Sequence, residues 1–278
     1  MSEEPEKKPI FYDRWAFRYL AIACLALIAC AIGAIFYNHH PKPLKENRFA
    51  KRDIHAGSSR AILTLASGKK ISLDEAPNGI LAEESGASIV RTGSGQITYA
   101  VHESALDSDT VKNVGVNNLE TPLGGQYQVR LPDGTKVWLN AASKLTYPAS
   151  FDPGAARKVE LRGEAYFEVA QIAAKPNGAG GEAKGNTPFV VFSGKQRIEV
   201  ETARFNISSY PNDEAIKTTL LEGMGKINSD NIIKSGQQSI NKKGNLEIIP
   251  ANTKEAVAWK NGLFLFEHES LETIMKSI

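Results

Sequence analysis

From residue 60 onward, apolar and polar residues alternate at period two in short runs. That is the pattern of strands that bury one face. The densest stretch is 119–210. Within it, the runs 127–131 and 136–139 flank Pro132-Asp133-Gly134. Proline presets φ, aspartate bonds its own backbone and glycine accepts positive φ, so these residues predict a tight turn and the runs a β-hairpin. In 157–170, Val159, Leu161, Ala165, Phe167 and Val169 share one face, and Lys158, Glu160, Arg162, Glu164 and Glu168 the other. This predicts a half-buried strand pair, with Gly163 free to supply a bulge or a close backbone approach. Residues 189–192, 197–200, 205–210 and 216–221 are further short strands between turn signals.

Upstream, 61–73 repeats the hairpin grammar. Leu65, Gly68, Lys70 and Leu73 align with Leu131, Gly134, Lys136 and Leu139, which is either an internal repeat or what any two hairpins share. Residues 92–99 add a turn and a strand. The fold class is therefore mainly β, and the even spacing of strands fits a sandwich, a barrel or a solenoid. The Gly/Ala/Asn-rich run 173–188 lacks the hydrophobes to pack and is expected to be a mobile surface loop.

A different pattern fills 19–37, YLAIACLALIACAIGAIFY, which holds no Asp, Glu, Lys, Arg or His. At about 1.5 Å per residue such a helix spans the hydrocarbon core of a bilayer. Trp15, Tyr19, Phe36 and Tyr37 stand at its ends, where interfacial aromatics belong. A single transmembrane helix is the first reading. A cleaved secretory signal or a lipoprotein box at 27–30 would need a shorter apolar core, and a buried soluble helix would need a polar face. Lys and Arg flank the run on both sides, so the positive-inside rule does not orient it. The large β-rich part that follows suggests a cytoplasmic N-terminus. Residues 38–59 are a polar, basic, proline-containing linker.

Composition changes this picture little. In 278 residues the net charge is +2, and no basic face with interleaved aromatics marks a nucleic-acid binder. Both cysteines, Cys24 and Cys30, lie in the apolar run, leaving neither a disulfide framework nor a zinc site for the rest. The five histidines do not cluster in sequence. No metalloprotease motif, G-x-S-x-G or Cys–His pair outside the apolar run is present, and the S-x-x-K matches at 67–70 and 239–242 fall in turn-like, strand-rich sequence. Neither catalysis, a cofactor nor a metal is expected. Glu160, Glu164 and Glu168 read as the solvent face of a strand, and Trp138, alternating with apolar neighbours, as core. Residues 258–267 read as a Trp-containing strand approach, followed by the start of a helix capped by Ser270. Trp259, Phe264 and Phe266 are the candidate partner-binding residues.

In order along the chain, TPLGGQYQVRLPDGTKVWLNAASKLTYP (121–148), RKVELRGEAYFEVA (157–170), PFVV (188–191) and RFNISSYPND (204–213) resemble the periplasmic domain of FecR-type transmembrane anti-sigma regulators, in the form common in Bacteroidetes. TTLLEG (218–223), KSGQQSI (234–240) and AWKNGLFLFEHESLETIM (258–275) fit the same resemblance, which covers roughly 60–278. One departure is visible. Thr202-Ala203 stands before Arg204-Phe205-Asn206 where the family usually has Gly-Thr, so a turn relying on that glycine must differ here.

The resemblance implies a membrane-anchored sensor and regulator of an extracytoplasmic-function sigma factor, relaying a signal from a TonB-dependent outer-membrane transporter. It implies a cytoplasmic tail at 1–18, the span at 19–37, the linker at 38–59 and a solenoid-like periplasmic β domain at 60–250. At 251–278 it implies the start of a small αβ signalling-type domain. Partners would be the sigma factor, the receptor's signalling domain and the inner membrane, with the C-terminal part in the periplasm. Against the family, this chain is expected to be short at both ends. The alternative is a membrane-anchored β module that binds glycan or another envelope component without signalling.

Overall fold

The computed structural model describes residues 18–19, 22–23, 25–32, 58–84, 86–93, 95–101, 115–152, 154–174, 185–228, 230–263 and 265. The chain divides into two compact units, Met1–Ile54 and His55–Ile278. In the first, the described residues between 18 and 32 are helical. Tyr19, Ile22, Leu25, Leu27, Ile28 and Ile32 are each at least 55% exposed, so this helix offers apolar side chains to its surroundings. No helix among the described residues is long and apolar enough to cross a membrane. Of the expected span at 19–37, residues 20–21, 24 and 33–37 lie outside the described residues, as does the expected linker at 38–59 apart from Ser58 and Ser59.

The second unit is a mainly β domain, with strands β1 (Ser58–Ser59), β2 (Ile62–Thr64), β3 (Lys70–Ser72), β4 (Gly79–Glu84), β5 (Ala87–Arg91) and β6 (Ile97–Val101). There follow β7 (Val116–Glu120), β8 (Gly125–Arg130), β9 (Lys136–Leu139), β10 (Lys144–Pro148), β11 (Arg157–Glu168) and β12 (Phe189–Ser193). The series ends with β13 (Gln196–Ser209), β14 (Ile216–Ile227), β15 (Asn231–Lys234), β16 (Gln237–Lys242) and β17 (Asn245–Pro250).

Three long strands organise these into two layers. The N-terminal half of β11 pairs with β10 and β12, and its C-terminal half with β9 and β13. Likewise β13 pairs first with β12 and then with β11, while β14 pairs first with β16 and then with β15. One layer therefore runs β3-β2-β7-β10 and on through β12 to β15. The other runs β4-β5-β6-β8-β9 and on to β16 and β17. Both layers feed one core, in which Phe167 of the second lies 6.2 Å from Phe189 of the first, ring to ring.

The bends that pass these strands from layer to layer have local causes. The predicted pair at 157–170 is one strand, because Gly163, at φ 94°, turns it without ending it. A Cβ there would sit 2.4 Å from Ser143 Oγ, so only glycine fits. Strands predicted at 197–200 and 205–210 are likewise one, β13, bulged between Val200 and Ala203. As expected of a chain without the family's glycine there, the turn differs: Thr202 and Ala203 have no positive φ, and across the ladder Gly223 is at 93°, where a Cβ would come 2.6 Å from the Thr202 carbonyl oxygen.

The two aligned hairpins share one turn. Leu131 N–H donates to Thr135 O and Gly134 N–H to Leu131 O, and Leu65, Gly68 and Lys69 repeat both bonds. This is the three-residue loop that ends in a left-handed glycine. Thr92, Gly95 and Gln96 form it a third time, between β5 and β6, so it is the grammar of these hairpins and not the mark of one repeated unit. Such reversals make neighbours antiparallel. Among the described pairings only β1–β8, β6–β8 and β11–β12 are parallel. The stacked parallel coils of a solenoid are therefore not the arrangement; the layers form a bent, largely antiparallel sandwich.

Candidate functional site: a polar hub beneath the C-terminal segment

On the outer face of the second layer, one cross-strand row links Gln128, Trp138, Tyr166, Asn206, Thr219 and Gln238 from six strands. Outward positions of a sheet face water unless something covers them. Here Tyr166 is 5%, Asn206 4% and Thr219 2% exposed. The cover is the segment after β17. Asn252 accepts from Lys254 N–H and Glu255 N–H and caps a helical turn, Thr253–Ala256. A 3-10 turn, Trp259–Asn261, follows and stops at Gly262, at φ 69°. The strand expected at 258–267 is thus helical turns as far as Gly262.

Two adjacent side chains of this segment touch the sheet. Trp259 Nε1 donates to Asn206 Oδ1 at 3.2 Å, and Lys260 Nζ lies over Trp138 and Tyr166, 4.4 and 4.8 Å from their ring centroids. The two rings are 5.5 Å apart and tilted by 56°. Trp138 therefore stands on the outer face and is not core. Its neighbours Val137 and Leu139 take the inward positions that the period-two pattern gives them.

Glu164 occupies the centre of a hydrogen-bonded hub on the same face. Asn140 Nδ2 donates to its Oε2 at 2.7 Å and Asn206 Nδ2 to its Oε1 at 2.9 Å. Its own N–H donates to Ser143 Oγ at 2.8 Å, and Asn140 N–H donates to its carbonyl. Tyr210 Oη and Ser143 Oγ both donate to Ala141 O at 3.0 Å. Thr121 closes the loop 140–143 by donating through Oγ1 to Ser143 O and accepting from Ser143 N–H. Gln126 Nε2 donates to Asn140 Oδ1 at 3.1 Å and reaches the Trp259 carbonyl at 3.4 Å.

Desolvation by these neighbours raises the Glu164 pKa, the asparagine donors opposing it in part. Burial pushes Tyr210 up as well, with the Glu164 charge adding to it, and raises Tyr166 to about 12. Glu164 is thus not one of three equivalent solvent-face carboxylates. Glu160 is exposed and Glu168 pairs with Lys136 at 3.6 Å, whereas Glu164 is held by donors from the loop after β9 and from β13.

A second cluster ties the hairpin turn to β11. Arg157 is 2% exposed, and its Nη1 donates to Asp133 Oδ2 at 2.7 Å and to Ala170 O at 2.9 Å. Nη2 donates to Thr187 O at 2.8 Å, and the guanidinium lies 5.3 Å from the Phe189 ring centroid. Asp133 also accepts from Thr135 N–H and Oγ1. Arg157 therefore holds both ends of the 171–188 excursion. Those ends pair through an Ala173–Asn186 bridge, and residues 175–184 lie outside the described residues.

Of the residues singled out in the sequence as partner-binding, Trp259 is half-buried in the clasp. Phe264 and Phe266 lie outside the described residues. Sequence reasoning missed the hub and Arg157, because cross-strand register sets both. The available signal was the recurrence of amides and small hydroxyls on strand faces otherwise charged.

Residues 117–224 match the family model described as FecR protein. A search of curated proteins finds no match. Two crystal structures of a putative anti-sigma factor from Parabacteroides distasonis are similar. They have TM-scores of 0.49 and 0.48 at 24% and 25% identity, and each comparison covers 58% of this chain and 72% of the other. The matched span contains every residue of the Glu164 hub except those of the C-terminal segment, and it contains Asp133 and Arg157. Over residues 117–224 the chain is similar to the FecR family.

Proposed function

We propose that this chain is a membrane-anchored regulator of an extracytoplasmic-function sigma factor, a protein-binding device and not a catalyst. The FecR domain at 117–224 is the observation that carries the reading. Its hub groups bond to one another: Glu164 accepts from two asparagines and Tyr210 donates to a backbone carbonyl, the bonding of a scaffold that presents a surface. Residues 19–37 supply the anchor in the inner membrane, N-terminus inside, and the β domain stands in the periplasm. There it receives a signal from the signalling domain of a TonB-dependent outer-membrane receptor, with the C-terminal segment and Trp259 at the contact. Such a signal acts only through differential affinity for two states of the regulator.

Deleting the gene and comparing transcripts is the test. A sigma-dependent set, including an outer-membrane transporter, loses its normal response to the inducing nutrient and regains it on complementation. An identical response with and without the chain refutes the reading. In that case a non-signalling β module that binds glycan or another envelope component takes its place.

A further inference from the structure

We propose that the Trp138–Tyr166 face is a receptor site for a cationic side chain, and that the chain plugs it with its own Lys260. The C-terminal segment is then a tethered competitor, displaced when a lysine- or arginine-bearing segment of a partner takes the ring pair. This stands whether or not a sigma factor is the output, because it concerns one face of the sheet and what occupies it.

The chemistry is that of cation recognition. Two rings from adjacent strands, held 5.5 Å apart, receive one ammonium at 4.4 and 4.8 Å from their centroids. An ammonium over an aromatic face is attracted by the ring quadrupole, more strongly when water is excluded. Glu164 and Glu168 flank Tyr166 on the same face of β11; Glu168 is already paired with Lys136, so the attraction for a cation comes from the two rings and from Glu164. The rings are fixed by the sheet beneath them, since Val137, Leu139, Ala165 and Phe167 between them are fully buried. The site is therefore preorganised and does not depend on its occupant for its shape.

The occupant, by contrast, is lightly held. Neither the helical turn Thr253–Ala256 nor the 3-10 turn Trp259–Asn261 contains a buried residue, and Ala258 is the buried apolar residue between them. Beyond Lys260, the contacts between the clasp and the sheet include the Trp259–Asn206 bond and the long Gln126 contact to the Trp259 carbonyl. A segment with few buried contacts opens at low free energy, well below global unfolding. A tethered plug also competes at high effective concentration, which keeps weak outside cations off until a partner brings further contacts.

The experiment uses the full chain in detergent micelles, as wild type, Lys260→Gln and Trp138→Leu. Amide exchange at 251–263 is followed by mass spectrometry, and binding of Nα-acetyl-lysine methylamide by the indole signals in NMR. The uncharged Nα-acetyl-norleucine methylamide serves as control. Lys260→Gln is expected to speed exchange at 251–263 by about fivefold or more. It is also expected to leave the thermal melt of the sheet unchanged and to admit the lysine probe, but not norleucine, at lower concentration than wild type does. Trp138→Leu abolishes that binding. Unchanged exchange in Lys260→Gln, or equal response to both probes, overturns the proposal. Since no sigma factor takes part, neither result bears on the regulatory reading.

Discussion

Replacing Arg157 with methionine keeps most of the stem volume and removes all of the donors. The Asp133 carboxylate, 3% exposed at its side chain, is then stranded except for its bonds from Thr135. The carbonyls of Ala170 and Thr187 lose their guanidinium donors at 2.9 and 2.8 Å. Breaking a buried ion pair from one side costs about 3–5 kcal/mol. Each orphaned carbonyl adds about 1 kcal/mol, unless water reaches it. Because Thr135 still serves Asp133, the low end of that sum, about 5 kcal/mol, is expected. For a domain of this size that lowers the melting temperature by about 10 °C.

Thermal melts of the detergent-solubilised full chain by circular dichroism read the loss. The double variant Arg157→Met with Asp133→Asn tests the cause, because it removes the stranded charge while keeping an acceptor for Thr135 N–H. It is expected to be more stable than the sum of the single losses by at least about 1.5 kcal/mol. A loss under about 1 kcal/mol in Arg157→Met, well below what stranding the carboxylate implies, would refute the argument. Strict additivity in the double variant would show instead that the pair is not coupled.

Gly163→Ala is expected to cost at least about 3 kcal/mol, because positive φ and a Cβ pressed against Ser143 act together. Gly134→Ala, whose Cβ meets nothing closer than 3.8 Å, should cost only the about 1–2 kcal/mol of its φ. Equal losses in urea melts would show that the close approach of Gly163 to Ser143 does not matter. Glu164 gives a pH signature. Its folded pKa lies above the ordinary 4.5, so above 4.5 the native state binds more protons than the unfolded chain. The stabilisation it gives is whole below that value and is lost as pH rises through the folded pKa. Urea midpoints of wild type measured against Glu164→Gln should therefore fall with rising pH through that window. A flat or rising difference contradicts the desolvation of this carboxylate.

How much of this was legible depends on whether a feature is local. The hairpin at Pro132-Asp133-Gly134, the inward set Val159, Leu161, Ala165, Phe167 and Val169, and the glycine at 163 all follow from residues close in sequence. The structure keeps each. Register and continuity are not local. Nothing near Gly163 says whether a strand ends or bends there; Ser143, twenty residues away, decides it by leaving no room for a Cβ. The same holds for Trp138, whose alternation with Val137 and Leu139 defines two faces but not which one a later segment covers. The clasp over it comes from Lys260, on a segment whose pattern read as a strand until Asn252 and Gly262 closed helical turns.

That distinction also explains why the FecR-like motifs were recognisable in order when their purpose was not. LNAAS, RGEAYF, RFN and ISSYP read singly as fragments of strands and turns. Folded, they contribute Asn140 and Ser143, Gly163 and Glu164, Asn206, and Tyr210 to one bonded set. A two-residue slip of β9 or β13 against β11 would keep the apolar face inward but carry Asn140 or Asn206 roughly 6–7 Å along the strand and leave Glu164 without that donor. The hub therefore penalises wrong registers of the second layer that hydrophobic alternation tolerates at two-residue steps. Its cost is a carboxyl driven above its usual range, which the two asparagine donors offset in part.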